Sequence, residues 1–271
     1  IRGGEKALKI ELTPHPQATA QRYYLRGNMS LTTNPPLLPE ATHTIAEPTG
    51  AVVTYNKSDS GETVQAKVTI NDGSDCSSSM VQWSLGISGL LPKACYTNSN
   101  TVEKSQKALI YQTPMLTSDM YINGPIQADI WMSASKTEAA IAVRIDDVDI
   151  WGNATPISTG LLSASYRAVD TSRSRYINGV MVQPWHAFTA ASKQAIVPGQ
   201  PMLVPVEVFP AAALIRKGHK LRIAISSSNQ AQGVWPTPQQ QKANGNVSTI
   251  YSDPRYPSSL VLPLVPASVL K

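Results

Sequence analysis

One serine of this sequence lies in a segment that nearly matches the motif of a catalytic nucleophile. A nucleophile elbow requires Gly-x-Ser-x-Gly at a strand-to-helix turn, because the strained turn presents the serine hydroxyl. The nearest match is Gly86-Ile87-Ser88-Gly89-Leu90, in which the second glycine comes one residue early. No helical pattern follows it, so Ser88 is interpreted as part of a loop. A hydrolase centred on Ser88 and His186 is therefore the weakest hypothesis.

The histidines offer no metal site by their spacing. The chain has four of them, His15, His43, His186 and His219. His186 follows Trp185 in an aromatic cluster, where a packed, hydrogen-bonded imidazole is expected, and His219 lies in a turn before a strand. No pair has the spacing of metal ligands, and the cysteines lack the doublets of a zinc site. We predict no metal and no cofactor, since no phosphate-binding or dinucleotide motif is present either.

The one acidic cluster is Asp146-Asp147-Val148-Asp149. Hard carboxylate oxygens suit Ca²⁺, which makes calcium binding the alternative for this cluster. However, the cluster lies in a strand pattern, which sends neighbouring side chains to opposite faces. We therefore expect these carboxylates to have structural roles.

The two cysteines, Cys76 and Cys95, lie in a segment rich in serine and glycine. A disulfide closing this loop of about 20 residues would contribute roughly 3 kcal/mol in the chain-entropy model. We favour the disulfide, which would imply an exported protein, and two unrelated free thiols are the alternative.

Composition excludes several classes of function. The net charge of +5 is spread along 271 residues without a basic block, so no nucleic-acid partner is expected. No apolar run approaches the ~18 residues that span a bilayer, so we expect no membrane crossing. The chain begins at Ile1 without a signal-like segment, from which we expect a processed product or a fragment.

Period-two alternation dominates the sequence and predicts an all-β fold. Ile126, Ala128, Ile130 and Met132 share one face, with Gln127, Asp129, Trp131 and Ser133 on the other. The 21 prolines and 16 glycines punctuate many short strands. We predict an antiparallel jelly-roll β-sandwich with long loops, because two packed sheets leave few exposed edges. Residues 32–49 are expected to be irregular and 71–108 to form a long excursion. No stretch predicts a long amphipathic helix, although 210–215 could make one helical turn.

Several segments together resemble one known domain. Gly218-His219-Lys220-Leu221-Arg222 is the most recognisable, and the others follow in the expected order: 109–115, 122–133, 143–148, 160–167, 198–200, 206–210 and 253–260. They resemble the C-terminal, galactose-binding-like β-sandwich of the X-Pro dipeptidyl-peptidase and cocaine-esterase-like (CocE/NonD) serine hydrolases. The stretch 183–189, together with Cys76 and Cys95, is similar to an exported actinobacterial subgroup, which implies a secreted or cell-envelope protein.

The resemblance implies a non-catalytic domain. The serine, aspartate and histidine of such hydrolases lie on a preceding α/β-hydrolase domain, so no catalytic residue is assigned here. Residues 1–22 are expected to be a linker or the last strand leaving that domain, and 23–271 to be the jelly roll, best matched over 109–266. The expected partners are the catalytic domain of the same polypeptide and, through it, a small ester or X-Pro peptide.

The resemblance also implies that the sandwich walls part of a substrate cleft. The region from Asp72 to Leu91, with Trp83 and Leu85, is the candidate for reaching that cleft, unless Trp83 only holds its own loop. A carbohydrate-binding jelly roll is the alternative function, with these candidate stacking residues: Trp131, Trp151, Trp185 and Trp235.

Overall fold

The computed structural model describes residues 15–47, 55–56, 63–64, 98–227, 242–243 and 245–270, and these form mainly antiparallel strands. The helix α1 spans Asn100–Ser105, and short 3₁₀ turns cover Ala164–Tyr166, Ala190–Ser192 and Ala267–Leu270. The strands are β1 (Thr19–Leu25), β2 (Leu31–Thr32), β3 (His43–Ala46), β4 (Tyr55–Asn56), β5 (Thr63–Val64), β6 (Leu109–Gln112), β7 (Met120–Ala134), β8 (Ala140–Val148), β9 (Ala154–Ser163), β10 (Arg175–Ile177), β11 (Val180–Gln183), β12 (Met202–Ile215), β13 (Lys220–Ser226), β14 (Val247–Ile250), β15 (Ser252–Asp253), β16 (Tyr256–Pro257) and β17 (Ser259–Val265).

Two sheets pack face to face, which confirms the predicted β-sandwich. The larger sheet has the order β2-β1-β17-β7-β14-β3, and β12 pairs with the other side of β7. The smaller sheet has the order β6-β13-β8-β9. Ile126 and Ile130 of the larger sheet and Ile145 and Ile223 of the smaller sheet are fully buried in one apolar core. The core therefore lies between the sheets, as in other sandwiches.

The alternation of β7 is the clearest link between sequence and fold. Ile126, Ala128, Ile130 and Met132 are fully buried against the smaller sheet, as their period-two spacing predicts. Burying such side chains is worth about 1.5–3 kcal/mol each for the larger ones. This burial holds the register of the strand, because a slip of one residue would turn all four outward.

The other face of β7 is also covered. Gln127 and Asp129 are buried, and Arg22 Nη1 donates to Asp129 Oδ2 at 2.7 Å. The hairpin β10–β11 contributes Ile177 and Val182 to a second, smaller apolar cluster on this side. The larger sheet is therefore partly sandwiched from both sides.

Some local predictions are wrong. Residues 210–215 form no helical turn, because β12 continues to Ile215 and pairs with β7 through a bulge between Val208 and Ala211. This pairing outweighs the helix propensity of the alanines, as tertiary context commonly does. Residues 32–49 are not irregular throughout, since they contain β3. The predicted division at 22/23 falls inside β1 and stays a prediction.

The strands β9 and β12, which belong to different sheets, approach each other closely at a glycine. Gly160 of β9 lies so close to β12 that a Cβ atom there would sit 2.2 Å from the Glu207 carbonyl oxygen. Nearby, Ser158 Oγ donates to the Phe209 carbonyl at 2.6 Å. Glycine is required at position 160 because the atoms it meets belong to backbone, which cannot move aside cheaply.

A pair of buried carboxyl groups lies at the start of β8. Glu47 Oε1 accepts from the Ala140 N–H at 3.0 Å, and Glu138 Oε1 accepts from the Ala139 N–H at 3.2 Å. Burial raises the pKa of Glu47 to about 8, against the opposing effect of the Ala140 hydrogen bond, and the nearby Glu138 raises it further. Glu47 therefore carries a proton in the folded state at neutral pH.

We expect Glu47 to make the protein less stable as the pH rises. The folded pKa of about 8 lies above the ordinary value of 4.5, so the folded state holds this proton longer than the unfolded state does. The contribution of Glu47 to the free energy of unfolding is fully present below pH 4.5. It is lost progressively as the pH rises from 4.5 to about 8, by about 1.4 kcal/mol per pH unit. Chemical unfolding of Glu47→Gln across this window should give a shallower decline than wild type.

Glu40→Gln is the matched control for this test. The hydrogen bond from Arg26 lowers the pKa of Glu40, so its stabilisation is present above the ordinary pKa and is lost on acidification. Its removal should not flatten the decline toward pH 8. Parallel pH profiles for wild type and Glu47→Gln would contradict the assignment.

Gly160→Ala should destabilise the fold by about 3 kcal/mol or more, because the added methyl group overlaps backbone atoms of β12. The control is Gly179→Ala, where the Cβ meets open space and only the φ of +79° opposes the change, at a cost of about 1–2 kcal/mol. Urea midpoints at constant m measure both losses. An equal or smaller loss for Gly160→Ala would refute the close approach.

Candidate functional site

The acidic cluster divides among three structural contacts. Ser99 Oγ donates to Asp146 Oδ1 at 2.8 Å, and Asp147 Oδ1 lies 2.8 Å from His219 Nδ1. Asp149 Oδ1 instead accepts from the Trp151 N–H within its own turn, at 2.9 Å. The carboxylates thus do not converge on one ion. Among the residues that the structure describes, no group of three His, Cys, Asp or Glu side chains could hold a metal.

Asp146 belongs to a buried network beneath α1. Arg222 Nη1 donates to Glu103 Oε2 at 2.7 Å and to Asn100 Oδ1 at 2.6 Å. Burial and the adjacent Glu103 raise the pKa of Asp146, while Arg144 and Ser99 oppose them. The raised pKa favours the protonated form of Asp146, which reduces the negative charge buried beside the Arg222–Glu103 ion pair. The network fixes α1 on the outer face of the smaller sheet.

His219 and Asp147 form a histidine–carboxylate pair at the start of β13. Burial raises the pKa of Asp147, and the hydrogen bond from His219 opposes that shift. Such a pair resembles the base and orienting residue of a catalytic triad, which also needs a nucleophile at the second ring nitrogen. No serine or cysteine of the described residues donates to His219 Nε2, so the pair is incomplete as a catalytic group.

His186 is a packed, hydrogen-bonded histidine, as its aromatic surroundings predict. Nδ1 lies 2.9 Å from the Ala168 carbonyl oxygen, and Nε2 lies 2.9 Å from the Pro205 carbonyl oxygen. Both ring nitrogens are occupied by backbone, so His186 has no free nitrogen for a general base. Its ring also packs against Phe188, at 5.6 Å between centroids.

The two remaining histidines also contact backbone. His43 Nε2 lies 2.8 Å from the Gly27 carbonyl oxygen, and His15 Nδ1 accepts from the Gln17 N–H at 3.1 Å. Neither is joined to a carboxylate by a hydrogen bond in the described part of the chain. The described histidines therefore provide one orienting pair and no assembled nucleophile.

The described tryptophans do not form a common stacking platform. Trp131 packs on Tyr256 at 5.1 Å between centroids, and the Arg173 guanidinium lies 3.5 Å over the Trp185 ring. Trp151 is 80% exposed. Trp235, the fourth candidate for sugar stacking, lies outside the described residues.

Other predicted site residues also lie outside the described residues. These are the cleft candidates Trp83 and Leu85, the cysteines Cys76 and Cys95, and Ser88. Their roles stay predictions. In the described ranges, no helix has the length and apolar character to cross a membrane.

The turn at 149–153 was not predicted from the sequence. Asp149 accepts from the N–H groups of Trp151 and Asn153, and Asn153 Nδ2 donates back to Asp149 Oδ2, each at 2.9 Å. Gly152 supplies a φ of +87°. An aspartate followed by a glycine and an asparagine is an ordinary turn signal, and it was available in the sequence.

Comparison with known proteins identifies the family. The family model described as the X-Pro dipeptidyl-peptidase C-terminal non-catalytic domain matches residues 2–261. The chain is also 22% identical over 165 residues to the cocaine esterase of Rhodococcus sp. (strain MB1 Bresler), covering 58% of this chain and 25% of that protein.

Two solved structures share the fold. A CocE/NonD family hydrolase from Staphylococcus aureus has a TM-score of 0.61 and 16% identity, over 94% of this chain and 38% of that one. An aminopeptidase from the marine sediment archaeon Thaumarchaeota archaeon has a TM-score of 0.60 and 13% identity, over 93% of this chain and 38% of that one.

The chain therefore spans about a quarter of the curated relatives and well under half of these solved chains. Three findings indicate the same family. They are the sequence segments that resemble it, the β-sandwich fold, and the match of the family model over nearly the whole length. The chain belongs to the family of X-Pro dipeptidyl-peptidase C-terminal non-catalytic domains.

Proposed function

We propose that this domain packs on the α/β-hydrolase catalytic domain of the same polypeptide and helps to shape its substrate cleft. The observation that carries the proposal is the match of residues 2–261 to a family of C-terminal non-catalytic domains, and the described histidines are consistent with it. Both ring nitrogens of His186 contact backbone carbonyl oxygens. His219 contacts Asp147 through Nδ1, and no described serine or cysteine is bonded to its other ring nitrogen. Acyl transfer needs all three groups within hydrogen-bond reach.

The substrate class of the whole protein is proposed as small esters or X-Pro peptides. The names of similar proteins, a cocaine esterase and an aminopeptidase, support ester or peptide-bond hydrolysis. The region 72–91, with Trp83 and Leu85, is proposed to line the cleft, because apolar walls with few polar groups are usual in such sites.

We also propose that the protein is exported and that Cys76 and Cys95 form a disulfide. Their spacing in a serine- and glycine-rich segment supports the pairing. Intact mass of the unreduced protein should lie about 2 Da below that of the reduced protein, since one S–S bond removes two hydrogens. An unchanged mass would indicate two free thiols and remove the main support for export.

The proposal predicts that residues 1–271 carry no reactive nucleophile. A fluorophosphonate probe should leave their intact mass unchanged, while a longer polypeptide that includes the preceding domain should gain one adduct and hydrolyse a p-nitrophenyl ester. The physical reason is that the probe requires a serine activated by a base and an oxyanion hole.

A known serine esterase and a heat-denatured sample serve as controls for the labelling. A stoichiometric adduct on residues 1–271 that disappears on denaturation would overturn the proposal. In that case Ser88→Ala would test whether the nucleophile is Ser88.

A further inference from the structure

We propose that an apolar patch at one end of the sandwich is the surface that the catalytic domain covers. The patch consists of Met115, Ile150 and Trp151, which are 58%, 58% and 80% exposed. This inference rests on the proposed function, because it takes the preceding α/β-hydrolase domain as the occupant. It goes further by naming the contact surface.

The patch is a single surface built from three neighbouring segments. The Gly218 N–H donates to the Leu116 carbonyl at 2.9 Å, and the Leu116 N–H donates to the His219 carbonyl at 2.8 Å. A Cβ atom at Gly218 would lie 3.7 Å from Ile150 Cγ2. The segment with Met115, the turn at 216–219 and the turn with Ile150 and Trp151 therefore meet.

The turn that presents Ile150 and Trp151 is held rigidly. Besides the Asp149–Asn153 bonds described above, Asn98 Nδ2 donates to Asn153 Oδ1 at 3.0 Å, and Asn100 Nδ2 donates to the Gly152 carbonyl at 2.9 Å. The hydrogen bonds from Asn153 also lower the pKa of Asp149, so its carboxylate stays ionised and holds the turn. A large aromatic side chain on a pre-organised turn loses little entropy on binding, which is typical of interface anchors.

Charged groups lie on the segments that build the patch. Arg216 and Asp119 face each other at 3.7 Å, and His219, which pairs with Asp147, belongs to the same turn as Arg216. An apolar centre with a polar rim is the usual anatomy of a protein–protein contact. A solitary exposed Leu or Met would need no explanation, but a tryptophan, an isoleucine and a methionine on one rigid surface do.

The chain enters the sandwich at this same end, which identifies the occupant. Thr19 of β1 pairs with Leu264, and Leu264 pairs with Ile122 near the start of β7. The end of β12 pairs with the same part of β7 and continues through the 216–219 turn to β13. Lys220, the first residue of β13, pairs with Val148 beside the Trp151 turn. A domain that precedes β1 therefore reaches the sandwich at the end that carries the patch.

A second exposed apolar pair serves as a control surface that the catalytic domain should not cover. Leu37 and Leu38, 83% and 74% exposed, lie between Asn34 and Glu40, which both accept hydrogen bonds from Arg26 at the far end of β1. They therefore lie away from the point where the chain enters the sandwich. The proposal assigns the catalytic domain to the Trp151 end and leaves Leu37 and Leu38 in solvent.

Hydroxyl-radical footprinting of the longer polypeptide tests the assignment. Native oxidation rates of Met115 and Trp151 should fall about five-fold or more below their rates in the unfolded protein, because an interface excludes solvent. Leu37 and Leu38 should oxidise at rates near those of the unfolded protein. Rates for Met115 and Trp151 close to the unfolded values would overturn the proposal.

A variant pair sharpens this test. Trp151→Asp should restore fast oxidation of Met115, whereas the matched change Leu38→Asp should leave Met115 protected. Protection that grows with protein concentration would assign the patch to a second copy and overturn the choice of occupant. Absence of a fluorophosphonate-reactive serine outside residues 1–271 would instead sink the proposed function, whatever the footprint shows.

Discussion

The pairing of β7 with β12 is the constraint on which the rest of the domain depends. β7 also bonds to β17 and β14, so its register sets the larger sheet. Ile126 and Ile130 face the smaller sheet only in this register, and a shift of one residue would place Gln127 and Asp129 in the core. β12 then carries the chain through the 216–219 turn to β13, which joins the two sheets at the Trp151 end.

Several described residues whose side chains could take part in catalysis or metal binding make structural contacts instead. Arg222 and Glu103 form a buried ion pair that fixes α1, and Asp146, whose pKa is raised by burial, lies beside them. His186 joins two backbone carbonyls, and Asp149 organises a turn. A buried pair of this kind contributes little net stability, but removing one partner is costly because the other charge is left unpaired. These groups hold the sandwich in shape, which fits a domain that supports chemistry performed elsewhere.

Sequence periodicity predicts much of this fold, and its failures have physical causes. Strands β7, β8 and β13 are predictable because the face that enters the core between the sheets takes an apolar side chain at every second position. The second half of β12 is not, since its alanines show no alternation and only pairing with β7 makes it a strand. The burial of Arg222 depends on Glu103, which is distant in sequence and shows no pattern that links the two. The packing of His186 is predictable from its aromatic neighbours, but its partners Ala168 and Pro205 are not.

We propose that this domain supports a catalytic centre that lies on another domain. A crystal structure of the longer polypeptide, covalently inhibited with a phosphonate, tests it most directly. We expect the phosphonate on a serine outside residues 1–271, in a cleft that this domain helps to wall. A phosphonate bound to any serine within residues 1–271 would contradict it.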